Sequence, residues 1–462
     1  MKRTLAFVLI FTMLLGLLCA CAKTPAANDP ASTEGGTQTQ EPAENADGEA
    51  VSLTLLTRCL NDSSATYNVL WEREKAWAEA HPEITITDNS VFEAEQFNNK
   101  FKICVANGEM PDLIFSYGGP AFKTYVDNGL ILDLMPYIEK DPELKAWYDS
   151  FQPSALSTVT YSDVDGLYGM PIEMFATGLY YNKAIFEKNG LTPPTTIGEF
   201  EEVCEALLAK GIQPMTIGDK SVYRGGHFLG ELFAKRFGGE YFTKLQSGEM
   251  KFTDPEVKEL FELVKKWQDK GYFGEGLTTI DQETERTMFA SGETAMLQMA
   301  LSYLPSIVTA TDDAGVFPSE QIGFVAFPYF EEYPENQNVW HGGPNGVLSV
   351  SASSSEAQIL ATLDLIRCLT NQESSEQRSA VNGSFISCVK DVSLPDDMPQ
   401  AAIEFHEVYA NMTGCSKEPG EAYTGTVLSV FRDQVQAMLA GTDIDTVLAT
   451  IQTAADESLA EQ

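Results

Sequence analysis

The chain has 462 residues, and its 30 basic and 67 acidic side chains give a formal net charge of −37 at pH 7. The acidic excess is spread along the sequence, and such a surface repels nucleic acids and other polyanions. The charge therefore indicates a protein kept soluble outside the cell, with a cationic ligand as the alternative reading.

Residues 1–20 have the organisation of a secretory signal peptide. Lys2 and Arg3 precede an apolar run that is too short to remain as a membrane span. The run ends in Leu18-Cys19-Ala20-Cys21, which resembles a bacterial lipobox. The resemblance implies cleavage before Cys21, lipidation of its thiol, and a protein anchored to the cell membrane on the extracytoplasmic face. An ordinary secretory signal is the alternative.

Residues 21–50 predict a disordered tether. They contain almost no large apolar side chain and are rich in Pro, Thr, Glu, Ala and Gly, so they cannot bury enough surface to fold. A random coil of roughly 30 residues reaches on the order of 30 Å. We expect the globular part to begin at Val51.

From Val51 onwards, predicted strands and helices alternate. Short apolar runs indicate strands, and apolar residues at helical spacing indicate helices that end at His81-Pro82 and at Asn107-Gly108. Such alternation predicts an α/β fold with a largely parallel sheet. The first predicted elements are a strand at 51–57, a helix at 65–80, a strand at 84–87, a helix at 94–106 and a buried strand from Pro111.

The segment from Gly178 to Gly211 has short elements with explicit limits. An aromatic strand at 178–182 precedes a short helix, and Pro193-Pro194 prevents that helix from continuing. Thr196 and Glu199 then have the spacing of a capping box, which opens an amphipathic helix.

Cysteine and histidine spacing argues against a metal enzyme. The six cysteines beyond residue 50 are widely separated and predict buried thiols or at most one or two bridges. The four histidines have no metal-ligand spacing such as HExxH. We predict no metal and no cofactor.

Four segments resemble, in the same order, the family 1 extracellular solute-binding proteins of ABC sugar importers. The resemblance extends over nearly all of the chain beyond residue 50. The segments are Tyr168 to Met215, "NGEMPDLIFSY" from Asn107, "MFASGETAML" from Met288, and "GGPNGVLSVSASSSEAQILATLDLIRCLTNQESSEQ" from Gly342.

The resemblance implies an α/β, two-lobed, periplasmic-binding-protein-like fold of type II character, with a ligand cleft between the lobes at a multi-strand hinge. It implies a monomeric, non-enzymatic receptor that binds a carbohydrate, most simply an oligosaccharide, and delivers it to the ABC permease in the membrane. The chain would cross between lobes near Gly178, near Trp340 to Asn345, where a turn is expected, and near Asn371 to Asn382. The implied division is lobe 1 at 51–175 plus 342–375 and lobe 2 at 176–341 plus 376–462.

A sugar-binding cleft needs aromatic planes for the apolar ring faces and polar side chains for the hydroxyls. Candidates are expected just beyond strand ends. For Trp340 a core position is an equal alternative to a stacking platform, and Tyr117 and Arg58 are equally open. The candidates are Arg58, Asn61, Asp62, Tyr117, Glu173, Phe175, Tyr223, Arg224, Gln298, Tyr303, Trp340 and His341.

Two other functions fit parts of the sequence. A secreted glycoside hydrolase would need two carboxylates that flank one bond, but no GxSxG, HExxH or P-loop motif is present and no catalytic residue is assigned. A binding protein for a polyamine or a peptide is the nearer alternative. Acidic residues dominating the cleft would favour the polyamine, whereas aromatic and amide residues would favour a sugar.

Overall fold

The computed structural model describes residues 51–59, 64–161, 163–381 and 383–461. Cys21, the tether, Asn61 and Asp62 lie outside the described residues. The strands of the described part are β1 (Val51–Leu56), β2 (Ile84–Asp88), β3 (Leu113–Ser116), β4 (Met170–Asn182), β5 (Met296–Ala300), β6 (Ile322–Val325), β7 (Val339–Val350) and β8 (Gly414–Ser416).

Helices separate these strands along the chain. Short 3₁₀ turns lie at Pro153–Leu156, Asp219–Ser221, Leu301–Tyr303, Ser319–Gln321, Pro334–Asn336 and Pro419–Ala422. The α-helices are α1 (Ala65–Ala80), α2 (Ala94–Asn107), α3 (Gly119–Asp127), α4 (Met135–Ile138), α5 (Pro142–Asp149), α6 (Lys183–Asn189), α7 (Ile197–Leu208), α8 (Arg224–Phe237), α9 (Tyr241–Gln246), α10 (Pro255–Asp269), α11 (Gln282–Ala290), α12 (Leu304–Ala314), α13 (Glu356–Thr370), α14 (Gln372–Ser379), α15 (Gln400–Tyr409), α16 (Val427–Leu439) and α17 (Ile444–Ala460).

Local signals in the sequence predicted several element limits. The capping box is confirmed, because Thr196 accepts a hydrogen bond from the Glu199 backbone and the Glu199 side chain accepts one in return. Helix α2 ends at Gly108, whose φ of 70° is the left-handed C-cap conformation. The strand expected at 178–182 is longer than predicted and begins at Met170.

The sheet is mixed, so the prediction of a largely parallel sheet is wrong. Its order is β2-β1-β3-β7-β4-β5, with β6 paired to β4 and β8 paired to β7. β1 runs parallel to β2 and β3, but β7 is antiparallel to both β3 and β4, and β4 is antiparallel to β5 and β6. The difference arises because two long strands, β4 and β7, join the parallel part of the sheet to the rest.

The segment Trp340 to Asn345 is part of a strand and does not form the expected turn. β7 continues through both glycines, and Gly342 and Gly343 pair with Ala176 and Phe175 of β4. A Cβ atom on Gly342 would lie 2.1 Å from the carbonyl oxygen of Phe175. The glycine therefore permits close approach of two strands, which the sequence alone does not separate from a turn.

Two apolar clusters pack against the sheet. One includes Leu53 of β1 and Phe115 of β3 and extends to one face of β5 and β6. The other includes Phe228 of α8 and Trp267 of α10 and covers the opposite side of β4. Alternation along β4 divides its side chains between them, since Leu179 belongs to the second cluster and Tyr180 to the first.

The chain still contacts the predicted lobe 1 beyond the lobe boundary predicted between residues 375 and 376. The Arg378 side chain donates hydrogen bonds to Ile172 and Glu173, and Ile386 forms a backbone bridge with Met174. Val389 forms a further backbone bridge with Phe151, just before the 3₁₀ turn at 153–156. Residues 376–391 thus contact the part predicted as lobe 1, and a boundary after residue 391 agrees better with these contacts. The division into lobes remains a prediction.

All six cysteines of the described part are free thiols, and Cys59, Cys204 and Cys388 are buried. This agrees with the expectation of buried thiols rather than with the bridges also considered. No helix in the described ranges is long and apolar enough to cross a membrane.

Gly342→Ala should lower the free energy of unfolding by about 2 kcal/mol or more, because the new Cβ forces β7 away from β4. Chemical denaturation monitored by circular dichroism measures this. Gly414→Ala on β8 is the control, since its Cβ meets only the Val339 methyls at 3.9 Å. Equal stability of the two variants would contradict the close-approach argument.

Candidate ligand-binding site

Side chains from four places in the fold converge near the middle of β4. Glu173 and Phe175 belong to β4 itself. Tyr117 follows β3, Tyr223 is the residue before α8, and Tyr303 ends the turn after β5. Tyr117 and Tyr303 thus follow strands, as the sequence predicted, whereas Glu173 and Phe175 lie within β4 and not beyond a strand end.

Three tyrosines, Tyr117, Tyr223 and Tyr303, form what we call the tyrosine cluster. Burial raises the pKa of Tyr223, and the neighbouring Tyr303 adds to the shift through charge and a hydrogen bond. Burial also raises the pKa of Tyr117, with a smaller contribution from Tyr303, although 42% of Tyr117 is exposed. Tyr117 is thus surrounded by protein but still open to solvent, as expected for a residue on a recessed surface.

Two arginines border the tyrosine cluster. The Arg58 Nε donates to the Phe92 carbonyl at 2.7 Å, and its Nη1 donates to the Tyr117 hydroxyl. The guanidinium carbon of Arg286 lies 5.0 Å from the centre of the Tyr303 ring. Arg286 is not among the candidates predicted from the sequence, because its position within a polar stretch of α11 resembles an ordinary solvent-exposed helix face.

Glu173 is held in one orientation by three donors. Its carboxylate accepts from the Tyr67 hydroxyl at 3.3 Å, from Asn345 Nδ2 at 2.9 Å and from Arg378 at 2.6 Å. Arg378 is 1% exposed. The arginine neutralises the carboxylate, and Glu173 and Asn345 present polar groups beside the aromatic rings.

Phe175 lies against two imidazoles. Its ring centre is 5.4 Å from that of His227 and 5.7 Å from that of His341. Burial lowers the pKa of His227 and lowers that of His341 to about 4, so both rings are neutral at pH 7. His341 approaches α8 closely, because a Cβ on Gly230 would lie 2.6 Å from its Nδ1. His341 therefore packs against both Phe175 and α8.

Arg224 and Gln298 are buried behind the tyrosine cluster. Arg224 forms a two-pronged ion pair with Glu285, at 3.0 Å and 3.1 Å, and donates to the Gln298 Oε1 at 3.0 Å. These residues are 2% or less exposed. They position the start of α8 and the end of β5 and do not face the recessed surface.

Trp340, for which the sequence left a stacking platform and a core position equally open, is a core residue. It is 1% exposed, and its ring packs against Phe324, Phe405 and Tyr409 at centroid distances of 6.1, 5.6 and 5.7 Å. Because β7 continues straight through this position, the two following glycines admit β4 rather than a ligand. We remove Trp340 from the candidate set.

The C-terminal part of the chain contributes residues that the sequence did not indicate. Lys417 Nζ donates to the carbonyl oxygen of Tyr117 at 3.3 Å. The fully buried Glu418 is bound by Arg432 at 2.7 Å and lies 3.4 Å from His227 Nε2. Burial raises the pKa of Glu418 to about 7. Because Lys417 and Glu418 are far from the tyrosines in the sequence, no local pattern predicted that they lie near the site.

Among the described residues, no group of three or more histidine, cysteine, aspartate and glutamate side chains is arranged to hold a metal ion. What the site offers instead is aromatic faces, hydroxyls, a carboxylate, an amide and guanidinium groups. Such a set can bind a ligand by stacking and hydrogen bonding.

The chain belongs to the bacterial extracellular solute-binding proteins, whose family model matches residues 73–406. The family resemblance seen in the sequence is thereby confirmed. Because the family is described as solute-binding, the match favours the binding-protein reading of the sequence over the hydrolase reading.

Characterised and uncharacterised relatives agree with this family. An uncharacterized ABC transporter extracellular-binding protein of Pyrococcus horikoshii is 29% identical over 266 residues, which is 55% of this chain and 58% of that protein. The chain thus spans little more than half of this relative's length. The melibiose/raffinose/stachyose-binding protein MelE of Bacillus subtilis is 21% identical over 82% of this chain and 79% of its own.

Solved structures share the fold. A chitin oligosaccharide binding protein has a TM-score of 0.78 at 24% identity, covering 89% of this chain and 100% of that one. The solute-binding protein RafE in complex with raffinose has a TM-score of 0.70 at 18% identity, covering 88% and 100%. The predicted α/β periplasmic-binding-protein-like fold is confirmed.

Protonation of His341 should destabilise the protein in acid. Burial lowers its pKa from 6.5 to about 4, so between these values the unfolded chain binds a proton that the folded chain does not. Stability is therefore lost as pH falls from 6.5 to 4, by roughly 1 to 3 kcal/mol for this residue. Denaturation of wild type and His341→Gln at several pH values measures the difference, which should shrink towards pH 4.

Gly414→Ala is the control for this experiment, because it changes no ionisable side chain and its Cβ meets only the Val339 methyls. Its stability difference from wild type should change less between pH 7 and pH 4. A constant difference for His341→Gln would show that the imidazole titrates equally in both states.

Proposed function

We propose that the protein is the lipid-anchored substrate-binding component of an ABC importer, which captures an oligosaccharide between two lobes and delivers it to a membrane permease. The observation that carries the proposal is the tyrosine cluster beside Glu173 and Asn345. Aromatic faces suit the C–H faces of sugar rings, and carboxylate and amide groups suit the hydroxyls.

Relatives support a carbohydrate ligand. MelE is named for melibiose, raffinose and stachyose, and the solved structures that share the fold include a chitin oligosaccharide binding protein and RafE with raffinose. The Pyrococcus relative is named as part of an ABC transporter, which supports a permease as partner.

The electrostatics of the site disfavour a polyamine. A polycation needs carboxylates that are free to bind it, but Glu173, Glu285 and Glu418 are each bound to an arginine. Of these carboxylates, Glu285 and Glu418 are fully buried. The same burial disfavours a glycosidase pair, because both carboxylates would have to reach one glycosidic bond.

Strands β4 and β7 are the proposed hinge, since they pass continuously from the first cluster to the second. Lys417 and Tyr117 belong to the two sides of the proposed division and meet through the Tyr117 carbonyl. Ligand that contacts both sides stabilises the closed arrangement by those additional contacts, which is the hinge closure described for periplasmic binding proteins.

A thermal-shift screen of oligosaccharides, polyamines and peptides tests the ligand class, because a ligand that binds only the folded state raises the melting temperature. We expect an oligosaccharide hit, and small-angle scattering should show a smaller radius of gyration with that hit. A polyamine or peptide hit, or turnover of the sugar into products, would contradict the proposal.

Tyr303→Ala should weaken binding of the oligosaccharide hit by roughly 1 to 3 kcal/mol, because a stacking face is lost. Calorimetry measures the affinity. Tyr333→Ala is a matched control, because the half-buried Tyr333 ring also lies beneath an arginine, with the guanidinium carbon of Arg236 4.1 Å from the ring centre. Arg236 is at the opposite end of α8 from Tyr223. Equal losses for both variants would argue against the tyrosine cluster as the ligand contact.

Cys21→Ser should release the protein from the membrane or leave its signal uncleaved, because the Cys21 thiol is the proposed acylation nucleophile. Membrane fractionation and lipid labelling provide the measurement. Cys19→Ser should stay anchored, since Leu18, Ala20 and Cys21 are unchanged. Lipid labelling of Cys21→Ser at the wild-type level would overturn the anchor assignment.

A further inference from the structure

Two arginines at the candidate site have no carboxylate partner in the described part of the chain. Arg58 donates to the Phe92 carbonyl and to the Tyr117 hydroxyl, and Arg286 lies over the Tyr303 ring. The Nη1 of Arg286 is also buried without a hydrogen-bond acceptor among the described residues. A buried charged donor without an acceptor is costly, so an acceptor from outside the described residues is expected here.

Three carboxylates near the site do not supply that acceptor, because arginines already bind them. In each pair one negative and one positive charge cancel. The pairs are Glu173 with Arg378 at 2.6 Å, Glu285 with Arg224 at 3.0 Å and Glu418 with Arg432 at 2.7 Å.

Among the described residues, Arg58 and Arg286 are thus the two arginines at the candidate site that lack a carboxylate partner. This is notable in a chain that has 67 acidic and 30 basic residues, where an arginine meets acidic neighbours easily. The two arginines also border the tyrosine cluster from different sides, Arg58 through Tyr117 and Arg286 through Tyr303. Both guanidinium groups lie where the proposed function places the sugar.

We propose that the ligand is an acidic oligosaccharide, in which Arg286 binds an oxyanion group, Arg58 adds a second positive charge, and the tyrosine cluster receives the sugar rings. This inference rests on the proposed carbohydrate-binding function. A guanidinium is planar and donates two parallel hydrogen bonds to an oxyanion, a geometry that carboxylate and sulfate groups both match. Uronic acids and sulfated sugars are the two sources of such a group.

Calorimetry on the purified protein tests the inference with oligosaccharides of equal length that are uronic, sulfated or neutral. Methyl esters of the uronic set remove the charge while retaining the sugar backbone. We expect at least one acidic oligosaccharide to bind tenfold or more tightly than its neutral counterpart, the order of magnitude for charge-assisted hydrogen bonds. Esterification should abolish the preference if the group is a carboxylate, and the sulfated set should bind more tightly if it is a sulfate.

Arg286→Gln and Arg58→Gln should each weaken acidic-sugar binding by about tenfold more than they weaken neutral-sugar binding, because only the acidic sugar loses a charge partner. Arg236→Gln is the matched control, because Arg236 also lies over a tyrosine, Tyr333, but outside the site. Circular dichroism checks folding, and the half-exposed Arg58 provides the test if Arg286→Gln does not fold.

The outcomes separate this inference from the proposed function. Neutral oligosaccharides that bind as tightly as the acidic ones, in wild type and in both variants, would overturn the inference and leave carbohydrate binding in place. Failure of every saccharide, neutral or acidic, to bind the folded protein would overturn both.

Discussion

The antiparallel pairing of β4 with β7 is the constraint on which the rest of the structure depends. Gly342 brings β7 against the Phe175 carbonyl, and both strands continue from one apolar cluster to the other. Because the pairing fixes the direction of Glu173 and Phe175, it also fixes where the tyrosines meet them. The mixed sheet is a consequence of the same pairing, since β4 is antiparallel to all its neighbours, whereas β7 is antiparallel to β3 and β4 but parallel to β8.

A second organising feature is the arginine that accompanies Glu173, Glu285 and Glu418 near the site. Buried ion pairs offset a large desolvation cost, so their presence says little about net stability. Their effect here is on geometry and local charge. Arg378 orients Glu173, and Arg224 ties the start of α8 to α11 and to the end of β5. The charge near the site then depends on the arginines that have no carboxylate partner among the described residues, Arg58 and Arg286.

How far the sequence predicts this structure depends on the distance over which each signal acts. The capping box at Thr196 and the C-cap at Gly108 are set by neighbouring residues and were predicted correctly. Tyr117, Tyr223 and Tyr303 follow strands or precede a helix, so their positions could be predicted as well. Arg378, by contrast, meets Glu173 across 205 positions of sequence, and no local pattern announces such a partner.

Trp340 and Arg286 show the two ways in which the predicted site differs from the structure. Trp340 is a candidate that lies in the core, and Arg286 is a site residue that was not a candidate. A tryptophan beside two glycines is compatible with a turn at a ligand or with a strand in close contact, and the pairing partner decides between them. An arginine on a polar helix is compatible with solvent exposure or with an aromatic neighbour brought by another element. In both cases the deciding contact is tertiary, whereas the family resemblance defined the overall fold without it.

The free thiols of the described part have a practical consequence for redox chemistry. Burial raises the pKa of Cys59 to about 12, so its reactive thiolate is scarce at neutral pH. Folding of residues 51–59, 64–161, 163–381 and 383–461 requires no disulfide. A chain produced without its first 20 residues in a reducing cytoplasm should therefore reach the same fold as the exported one, and added reductant should leave its unfolding transition unchanged.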